Sequence, residues 1–248
     1  MRLILIAVLS FGALATAALA ASPSGIKLDH AWIMVTANAP ERTALERAGF
    51  QIAREVNHHE GTGTSSVTVE FEDFFFEMMW VDPAVPVSPG MERALEKHKQ
   101  RMAWRTSGWC PIGVGFRRTG DTQENFPFPT WTWTADWLPK GTAVEMLTRR
   151  DDTRSPALFI SPRGLGSTKE QEARAALYHH AAGAKRVTEV RVVSPGDYKP
   201  IDALTYLEKQ ALLSLGKGEA WLLELTFDDG KQGKRKDFRP DLPLVIRY

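Results

Sequence analysis

The segment from Ile26 to Val81 constrains the fold of this chain more than any other stretch. Ile26 to Val35 alternates in polarity as a strand does, and a short helical pattern follows it. Phe50 to Val56 and Val67 to Phe71 have strand character, and Phe74 to Val81 is apolar on both faces, as expected of a covered strand. The predicted order is therefore β-α-β-β-β.

An imidazole and a carboxylate in these apolar strands are candidates for a site. His30 lies in the first strand and Glu77 lies in the last. A bare carboxylate among apolar side chains is costly, so Glu77 must be paired, protonated or metal-bound. An arginine partner such as Arg117 or Arg191 is one alternative, and both would also suit an anionic ligand. For His30 the alternative to metal ligation is a buried ring that hydrogen-bonds to the backbone or to Glu77.

The amino terminus has the pattern of a secretory leader. Arg2 precedes the apolar run from Leu3 to Ala17, and Ala18-Leu19-Ala20 offers small residues for cleavage. We expect residues 1–20 to be a signal peptide, with the mature protein exported to the periplasm or secreted and without a stable membrane span. An uncleaved anchor is the alternative, although the run is short for a span.

Composition narrows the classes of function. The formal net charge is +1, so there is no basic excess for nucleic acid binding. Cys110 is the single cysteine, which excludes an intramolecular disulfide and a cysteine-based zinc cluster. The chain is compatible with a homodimer.

The rest of the chain repeats strand-rich patterns. We predict an α/β (α+β) fold made of repeated βαβββ modules, at about residues 26–81, 110–162 and 185–248. The middle module is weak in helix signals. Helices are predicted at Met91–Arg105, Lys169–His180 and Ile201–Leu215.

Further polar and aromatic residues are candidates for contact with a ligand. His59 lies in a loop rich in Gly and Thr, where it would serve as an acid/base group at a cleft rim or as an exposed turn residue. His180 has the same two interpretations. Trp133 belongs to a tryptophan-rich stretch that would line a pocket or pack in a core.

Several motifs, in order and spacing, resemble the glyoxalase-like branch of the vicinal oxygen chelate superfamily. They are Leu28-Asp29-His30, Ala48-Gly49-Phe50, His59-Glu60-Gly61-Thr62-Gly63-Thr64, Phe76-Glu77-Met78 and His180-Ala181-Ala182-Gly183-Ala184. The resemblance covers residues 26–81 well and residues 110–193 loosely. It implies a glyoxalase-like domain over residues 26–248, in which curled mixed sheets surround a cleft, as in glyoxalases and dioxygenases.

The resemblance also implies a divalent metal in that cleft, held by the first and last strands of each module. His30 and Glu77 fall on the ligand positions of the first module, whereas the second module lacks the matching His and Glu. Glu189 of the third module would complete a set with them, suitable for Mn, Fe, Zn or Ni. The residues with catalytic or ligand-binding roles would then be Glu77, Glu189 and His59 for catalysis, and Arg117, Arg191, Trp133 and His180 for the ligand.

Two functions follow from these observations. In the first, the protein is a metal-dependent lyase, isomerase or dioxygenase that acts on a small organic molecule. In the second, it binds an anionic or aromatic small molecule in the same cleft, without metal and without catalysis. The missing ligands of the second module favour the second function, and the retained His30 and Glu77 favour the first.

Overall fold

The structure is a computed structural model that describes residues 25–120, 125–135, 138–150, 152, 154–162 and 168–248. The predicted leader at residues 1–20 lies outside this part of the chain. Among the described residues, no helix is both long and apolar enough to cross a lipid bilayer.

One large mixed sheet contains the strands of the first two predicted modules. Its eight strands are β1 (Ile26–Met34), β2 (Asn57–His59), β3 (Thr64–Glu70), β4 (Phe75–Val81), β5 (Ile112–Arg118), β6 (Trp131–Trp133), β7 (Val144–Met146) and β8 (Ala157–Ser161). Their order is β2-β3-β4-β1-β5-β8-β7-β6. The central strands β1 and β5 are antiparallel and join the two halves, while each pairs in parallel with the last strand of its own half. The sheet curls into a half-barrel, and its inner surface is called the concave face below.

The carboxyl-terminal residues form a second, separate sheet. Its strands are β9 (Val187–Pro195), β10 (Ser214–Gly218), β11 (Leu222–Phe227), β12 (Arg235–Asp237) and β13 (Leu244–Arg247), in the order β10-β9-β11-β13-β12. This mixed α/β architecture with a curled sheet confirms the predicted fold class.

The main core lies on the outer, convex face of the large sheet. Ala31, Ile33 and Phe76 from that sheet belong to the same buried cluster as residues of the second sheet, among them Leu223. Because successive strand residues point to opposite faces, His30 must project from the concave face.

The helices are short. They are α1 (Arg42–Arg47), α2 (Glu92–Met102), α3 (Trp104–Ser107), α4 (Thr168–Ala175) and α5 (Asp202–Lys209). Helix α2 contacts β1 and β4, and Met102 packs against Trp32, Met34 and Met79. It therefore covers one end of the concave face.

Three element predictions were wrong, and one of them is the helix predicted at Lys169–His180, which ends at Ala175. Phe50–Val56 is irregular rather than a strand, and the first half takes its edge strand from Asn57–His59 instead. The predicted helix Ile201–Leu215 ends at Lys209, because Ser214–Gly218 pairs with β9 as an edge strand.

Helix α2 is held in place by one buried charged residue. Arg101 is buried, and its guanidinium donates to the Cys110 and Ser155 carbonyls. The Arg101 side chain thus fixes α2 against the segments that immediately precede β5 and β8.

Candidate functional site

His30 and Glu77 lie on the same face of the large sheet. In the parallel pairing of β1 with β4, His30 is opposite Phe75 and Trp32 is opposite Glu77. Cross-strand partners point to the same side of a sheet, so all four side chains project from the concave face. His30 and Glu77 are 7% and 9% exposed, which makes both of them buried polar groups.

A β-bulge in β1 brings Asp29 next to His30. The register of β1 with β5 shifts between Leu28 and His30, where Leu28 is opposite Phe116 and His30 is opposite Gly115. A bulge re-aims a side chain that would otherwise point to the opposite face. His30 Nδ1 therefore donates to Asp29 Oδ2 at 2.8 Å, although the two residues are adjacent in sequence.

The His30 ring is held between aromatic rings and a glycine. Its centroid lies 4.4 Å from that of Phe75 in a stacked arrangement and 5.1 Å from that of Phe159 in an edge arrangement. A Cβ atom at Gly115 would lie 2.5 Å from His30 Cε1, so only glycine lets the ring lie this close to β5. These contacts fix the ring plane, and the hydrogen bond to Asp29 fixes the tautomer with its proton on Nδ1.

The electrostatic environment strengthens the affinity of the His30 imidazole for a proton. Burial lowers the pKa of its imidazole, but the hydrogen bond and charge of Asp29, together with the charge of Glu77, outweigh this and raise the pKa above its ordinary value. Burial also acts to raise the pKa of Asp29, yet His30, Arg117 and Arg174 lower it overall. Asp29 is therefore an ionised partner that strengthens the basicity of His30 Nε2.

Hydroxyl groups connect Glu77 to His59. Ser66 Oγ donates to Glu77 Oε1 at 3.4 Å and lies 3.4 Å from His59 Nε2. The Nδ1 atom of the same imidazole lies 3.0 Å from Thr64 Oγ1, which lies 2.8 Å from Thr62 Oγ1. The Ser66 hydroxyl therefore bridges Glu77 and the half-buried His59.

Burial shifts other ionisable groups on this half of the sheet toward their neutral forms. Desolvation lowers the pKa of His59 despite the nearby charge of Glu77. The same effect raises the pKa of Glu70, which pairs across the sheet with Phe75 and so faces the same side. The half of the concave face that β1 to β4 form is thus polar and enclosed.

His98 of α2 borders the same region. Its ring has an edge contact with Trp32, with the centroids 6.1 Å apart, and its Nδ1 atom is buried without a hydrogen-bond partner among the described residues. Burial, reinforced by the charge of Arg101, lowers the pKa of His98 to about 3. His98 is therefore an uncharged ring at neutral pH.

The other half of the concave face, which β5 to β8 form, is more open and is called the open half below. Phe159 pairs with Met146, which pairs with Trp131, and all three are half-buried side chains of the same face. Trp133 lies two residues further along the edge strand β6 and therefore on this face too. The open half thus offers apolar and aromatic contacts beside His30.

Two cationic side chains border this open half. Arg117 alternates with Gly115 on β5, so it faces the concave side, and its Nε atom lies 3.5 Å from Asp29 Oδ1. That Nε atom is buried and has no hydrogen-bond partner within the part of the chain that the structure describes. Arg174 of α4 is exposed, with its guanidinium carbon 5.4 Å from the centre of the Phe75 ring. Both arginines are placed to receive an anionic group near His30.

The structure separates Glu189 and Arg191 from the other predicted site residues. Both are exposed on β9 in the second sheet, and Glu189 Oε1 accepts a hydrogen bond from Ser214 at 2.6 Å. Since His30 and Glu77 face the concave side of the first sheet, the predicted three-ligand set with Glu189 does not form. Arg191 likewise does not pair with Glu77, because its charge partner is Glu224 at 3.8 Å.

His180 is a structural residue rather than a ligand contact. Its Nδ1 accepts a hydrogen bond from the Gln51 N–H at 3.0 Å, and its Nε2 donates to the Glu70 carbonyl at 2.9 Å. The ring packs against Phe50 and Phe71 in the core. Both nitrogens are therefore engaged, and the structure contradicts the predicted ligand-binding role.

The described residues do not provide a set of side chains that could ligate a metal ion. No group of three His, Cys, Asp or Glu side chains converges within the ranges that the structure describes. On β5 the concave positions nearest to His30 and Trp32 are Gly115 and Gly113, and a Cβ atom at Gly113 would overlap the Trp32 ring. The rings of His30 and Trp32 thus occupy the space into which side chains of β5 would project, so the described part of β5 offers no ligand beside His30.

Several polar residues of the site are not apparent from the sequence. In the sequence, Asp29 is only the residue before His30. Its contact with the His30 ring depends on a bulge, which a strand pattern does not reveal. Ser66 and Glu70 fall in a stretch that alternates polar and apolar residues, which is typical of a half-exposed strand. Every residue of β3 is in fact buried, so this alternation marks an enclosed polar face rather than a solvated one.

Comparison with known proteins identifies the family. A family model described as a glyoxalase-like domain matches residues 28–205. No curated protein matches the sequence.

Two solved structures are similar at low sequence identity. The first is a hypothetical protein from Staphylococcus aureus, with 9% identity, a TM-score of 0.49, and coverage of 90% of this chain and 98% of that one. The second is a xylose isomerase-like TIM barrel/4-hydroxyphenylpyruvate dioxygenase fusion protein, with 10% identity, a TM-score of 0.40, and coverage of 81% of this chain and 36% of that one. On the family match, which spans most of the sequence, this chain belongs to the glyoxalase-like domain family of the vicinal oxygen chelate superfamily.

Proposed function

We propose that the protein binds a small organic carboxylate in the open half of the concave face and moves a proton on it with His30. The observation that carries this proposal is the 2.8 Å hydrogen bond between His30 Nδ1 and Asp29 Oδ2 at the boundary of the open half. An ionised carboxylate on one ring nitrogen leaves the other nitrogen as a base of raised strength, as general base catalysis requires.

The surrounding residues define the ligand class. Arg117 and Arg174 supply positive charge near Asp29, and a guanidinium binds a carboxylate with two parallel hydrogen bonds. Phe159 and Met146 supply an apolar surface for the remainder of the molecule. A compact organic acid with an acidic C–H next to its carboxylate or carbonyl group matches both features.

The proton taken by His30 has a defined environment. Glu77 is close enough to raise the pKa of His30, so it stabilises the imidazolium that forms. The contacts from Glu77 through Ser66 to His59 would carry a proton between the site and the half-buried edge of the sheet. A base with a proton route beside it suits an isomerase or a lyase, in which a proton is taken from one position and returned or released.

The test is deuterium exchange into small 2-keto and 2-hydroxy acids in D₂O, followed by proton NMR. We expect the wild-type protein to catalyse exchange into at least one acid of this panel, and His30→Gln to lower the rate by about 10²–10⁴-fold. His179→Gln, at an exposed position after α4, is the matched control and should retain the rate. Equal rates for His30→Gln and the wild type would contradict the proposal.

A binding function without catalysis is the second candidate. It is favoured by Gly113, Gly115 and Phe159. These residues give the open half a surface for packing against a ligand instead of acid/base groups. This candidate predicts saturable binding of an acid from the same panel, weakened by Arg117→Gln, with no isotope exchange. Exchange that depends on His30 would rule it out.

We also propose that residues 1–20 direct export and are removed. Mass spectrometry of the protein from the periplasmic or secreted fraction should show a mature chain that begins near residue 21. The full-length mass in the membrane fraction would instead indicate an anchor. The homodimer stays a prediction, and sedimentation of the purified protein would show whether it forms.

A further inference from the structure

The carboxyl-terminal sheet carries a pocket of its own, distinct from the concave face of the large sheet. It has a volume of about 290 Å³ and lies where β9 and β10 meet the segment before α5. Its lining residues include Arg191, Tyr198, Leu204, Gly216, Lys217 and Trp221. This volume is close to the lower limit of about 300 Å³ for small-molecule sites.

The floor and walls of the pocket are apolar and aromatic. Leu204 belongs to the main buried core, so the pocket reaches down to well-packed structure. The rings of Tyr198 and Trp221 meet edge to face with centroids 4.7 Å apart. Tyr198 is held in place because its hydroxyl donates to Ser155 Oγ at 2.6 Å. An aromatic or compact apolar group would therefore meet preformed rings.

The mouth of the pocket is cationic. Arg191 lies across β10, where a Cβ atom at Gly216 would lie 2.8 Å from its Nε atom, so glycine makes room for the guanidinium. Arg191 Nε lies 3.8 Å from Glu224 Oε2, beyond hydrogen-bond distance. Lys217 donates to the Tyr198 carbonyl, and its Nζ atom lies 5.9 Å from the centre of the Tyr198 ring.

The acidic groups near the mouth already have partners. Glu224 Oε1 accepts from Arg247 at 3.0 Å, and Glu189 accepts from Ser214 at 2.6 Å. Glu208 accepts from the backbone N–H of Leu215 at 3.1 Å. Arg191 keeps an ion pair with Glu224 but no hydrogen bond to it, and Lys217 donates to the Tyr198 carbonyl. Both cations line the aromatic pocket, and neither is hydrogen-bonded to a carboxylate of the described residues.

From this combination we propose that the pocket is a second binding site, specific for small aromatic carboxylates. The carboxylate binds Arg191 and Lys217, while the ring lies against Tyr198 and Trp221. A charge-assisted hydrogen bond to an arginine gives both strength and orientation, and the aromatic pair gives shape selectivity.

The test uses phenylacetate as the probe and phenylacetamide as its neutral counterpart, with the mature protein and isothermal titration calorimetry. We expect phenylacetate to bind at millimolar concentrations or better, and phenylacetamide to bind about tenfold more weakly. Arg191→Gln and Lys217→Gln should each weaken phenylacetate binding about tenfold, through the loss of one charge-assisted hydrogen bond. Both positions are exposed, so the variants should fold.

Matched controls separate this site from general charge and from the concave face. Arg235→Gln removes an exposed arginine of the same sheet that does not line the pocket, and it should leave the affinity unchanged. His30→Gln should also leave it unchanged. The proposal is overturned if phenylacetate does not bind at millimolar concentrations, if it binds no better than phenylacetamide, or if its affinity does not depend on Arg191 and Lys217. It is also overturned if His30→Gln abolishes binding, which would assign the probe to the concave face.

Discussion

Substitution of Gly115 tests whether the close approach of β5 to His30 maintains the proposed site. In Gly115→Ala the new Cβ atom would lie 2.5 Å from His30 Cε1 and 2.8 Å from Nδ1. Unstrained contacts between carbon atoms are near 3.5 Å, so the ring must withdraw by about 1 Å. The same ring donates the 2.8 Å hydrogen bond to Asp29 and stacks on Phe75, and both contacts would be disturbed.

The magnitude follows from two opposing effects. Overpacking a buried position costs about 1–3 kcal/mol, whereas replacing glycine by alanine within a strand returns about 0.5–1 kcal/mol. We therefore expect Gly115→Ala to lower the free energy of unfolding by about 0.5–2 kcal/mol in urea denaturation. Any isotope exchange catalysed through His30 should fall with it.

Two further variants make this prediction specific. Gly196→Ala is the matched control, because a Cβ atom at that exposed position meets nothing within 4 Å, and it should not destabilise the protein. In a His30→Ala background the ring is gone, so Gly115→Ala should no longer destabilise the protein. An unchanged cost in that background, or a neutral Gly115→Ala in the wild type, would refute the reasoning.

The remaining predictions concern the core, the metal and the thiol. His180→Phe should lower the free energy of unfolding by about 1–3 kcal/mol, because it removes the hydrogen bonds to the Gln51 N–H and the Glu70 carbonyl, and a neutral result would show that neither bond matters. Burial lowers the folded pKa of His180, so its share of stability should be present above its ordinary pKa of 6.5 and be lost as pH falls toward the folded pKa. Equal losses of stability on acidification in wild type and His180→Phe would argue against this. Extraction with EDTA should change neither the urea midpoint nor the isotope exchange, and a loss of either that Zn or Mn restores would show that the protein needs a metal. Burial raises the pKa of Cys110 to about 12, so iodoacetamide should modify it only after unfolding, and rapid modification of the native protein would be inconsistent with its burial.

Much of the fold could be predicted from the sequence because the strands of the first half carry strong patterns. The alternation of Val67 to Phe71 falls on β3, and the covered strand predicted at Phe74 to Val81 is β4. The end of α5 was harder to place, because the helical periodicity continues beyond Lys209 while Ser214 to Gly218 forms ladder bonds with β9. Tertiary pairing decided that boundary, and local periodicity could not show it.

The sequence predicted the site residues that stand out from their neighbours, but not those whose position depends on long-range strand pairing. His30 and Glu77 stood out because charged groups are rare in apolar strands, and the structure places both on the concave face. Glu189 was predicted to join this site because the resemblance implies ligands in each module, and only the division into two sheets shows that it lies elsewhere. The position of Asp29 depends on a bulge that is set by the pairing of β1 with β5. Such long-range pairing leaves no mark in the sequence around the residue.

The most direct measurement is the titration of the His30 imidazole by NMR, in the wild-type protein and in Asp29→Asn and Glu77→Gln. Although burial acts to lower it, the pKa of His30 should lie above the ordinary 6.5, because Asp29 and Glu77 both favour the charged ring. Each substitution should lower that pKa, with the larger change in Asp29→Asn, which also weakens the hydrogen bond. A pKa at or below the ordinary value that neither substitution moves would show that the three side chains do not converge, and would contradict the proposed site.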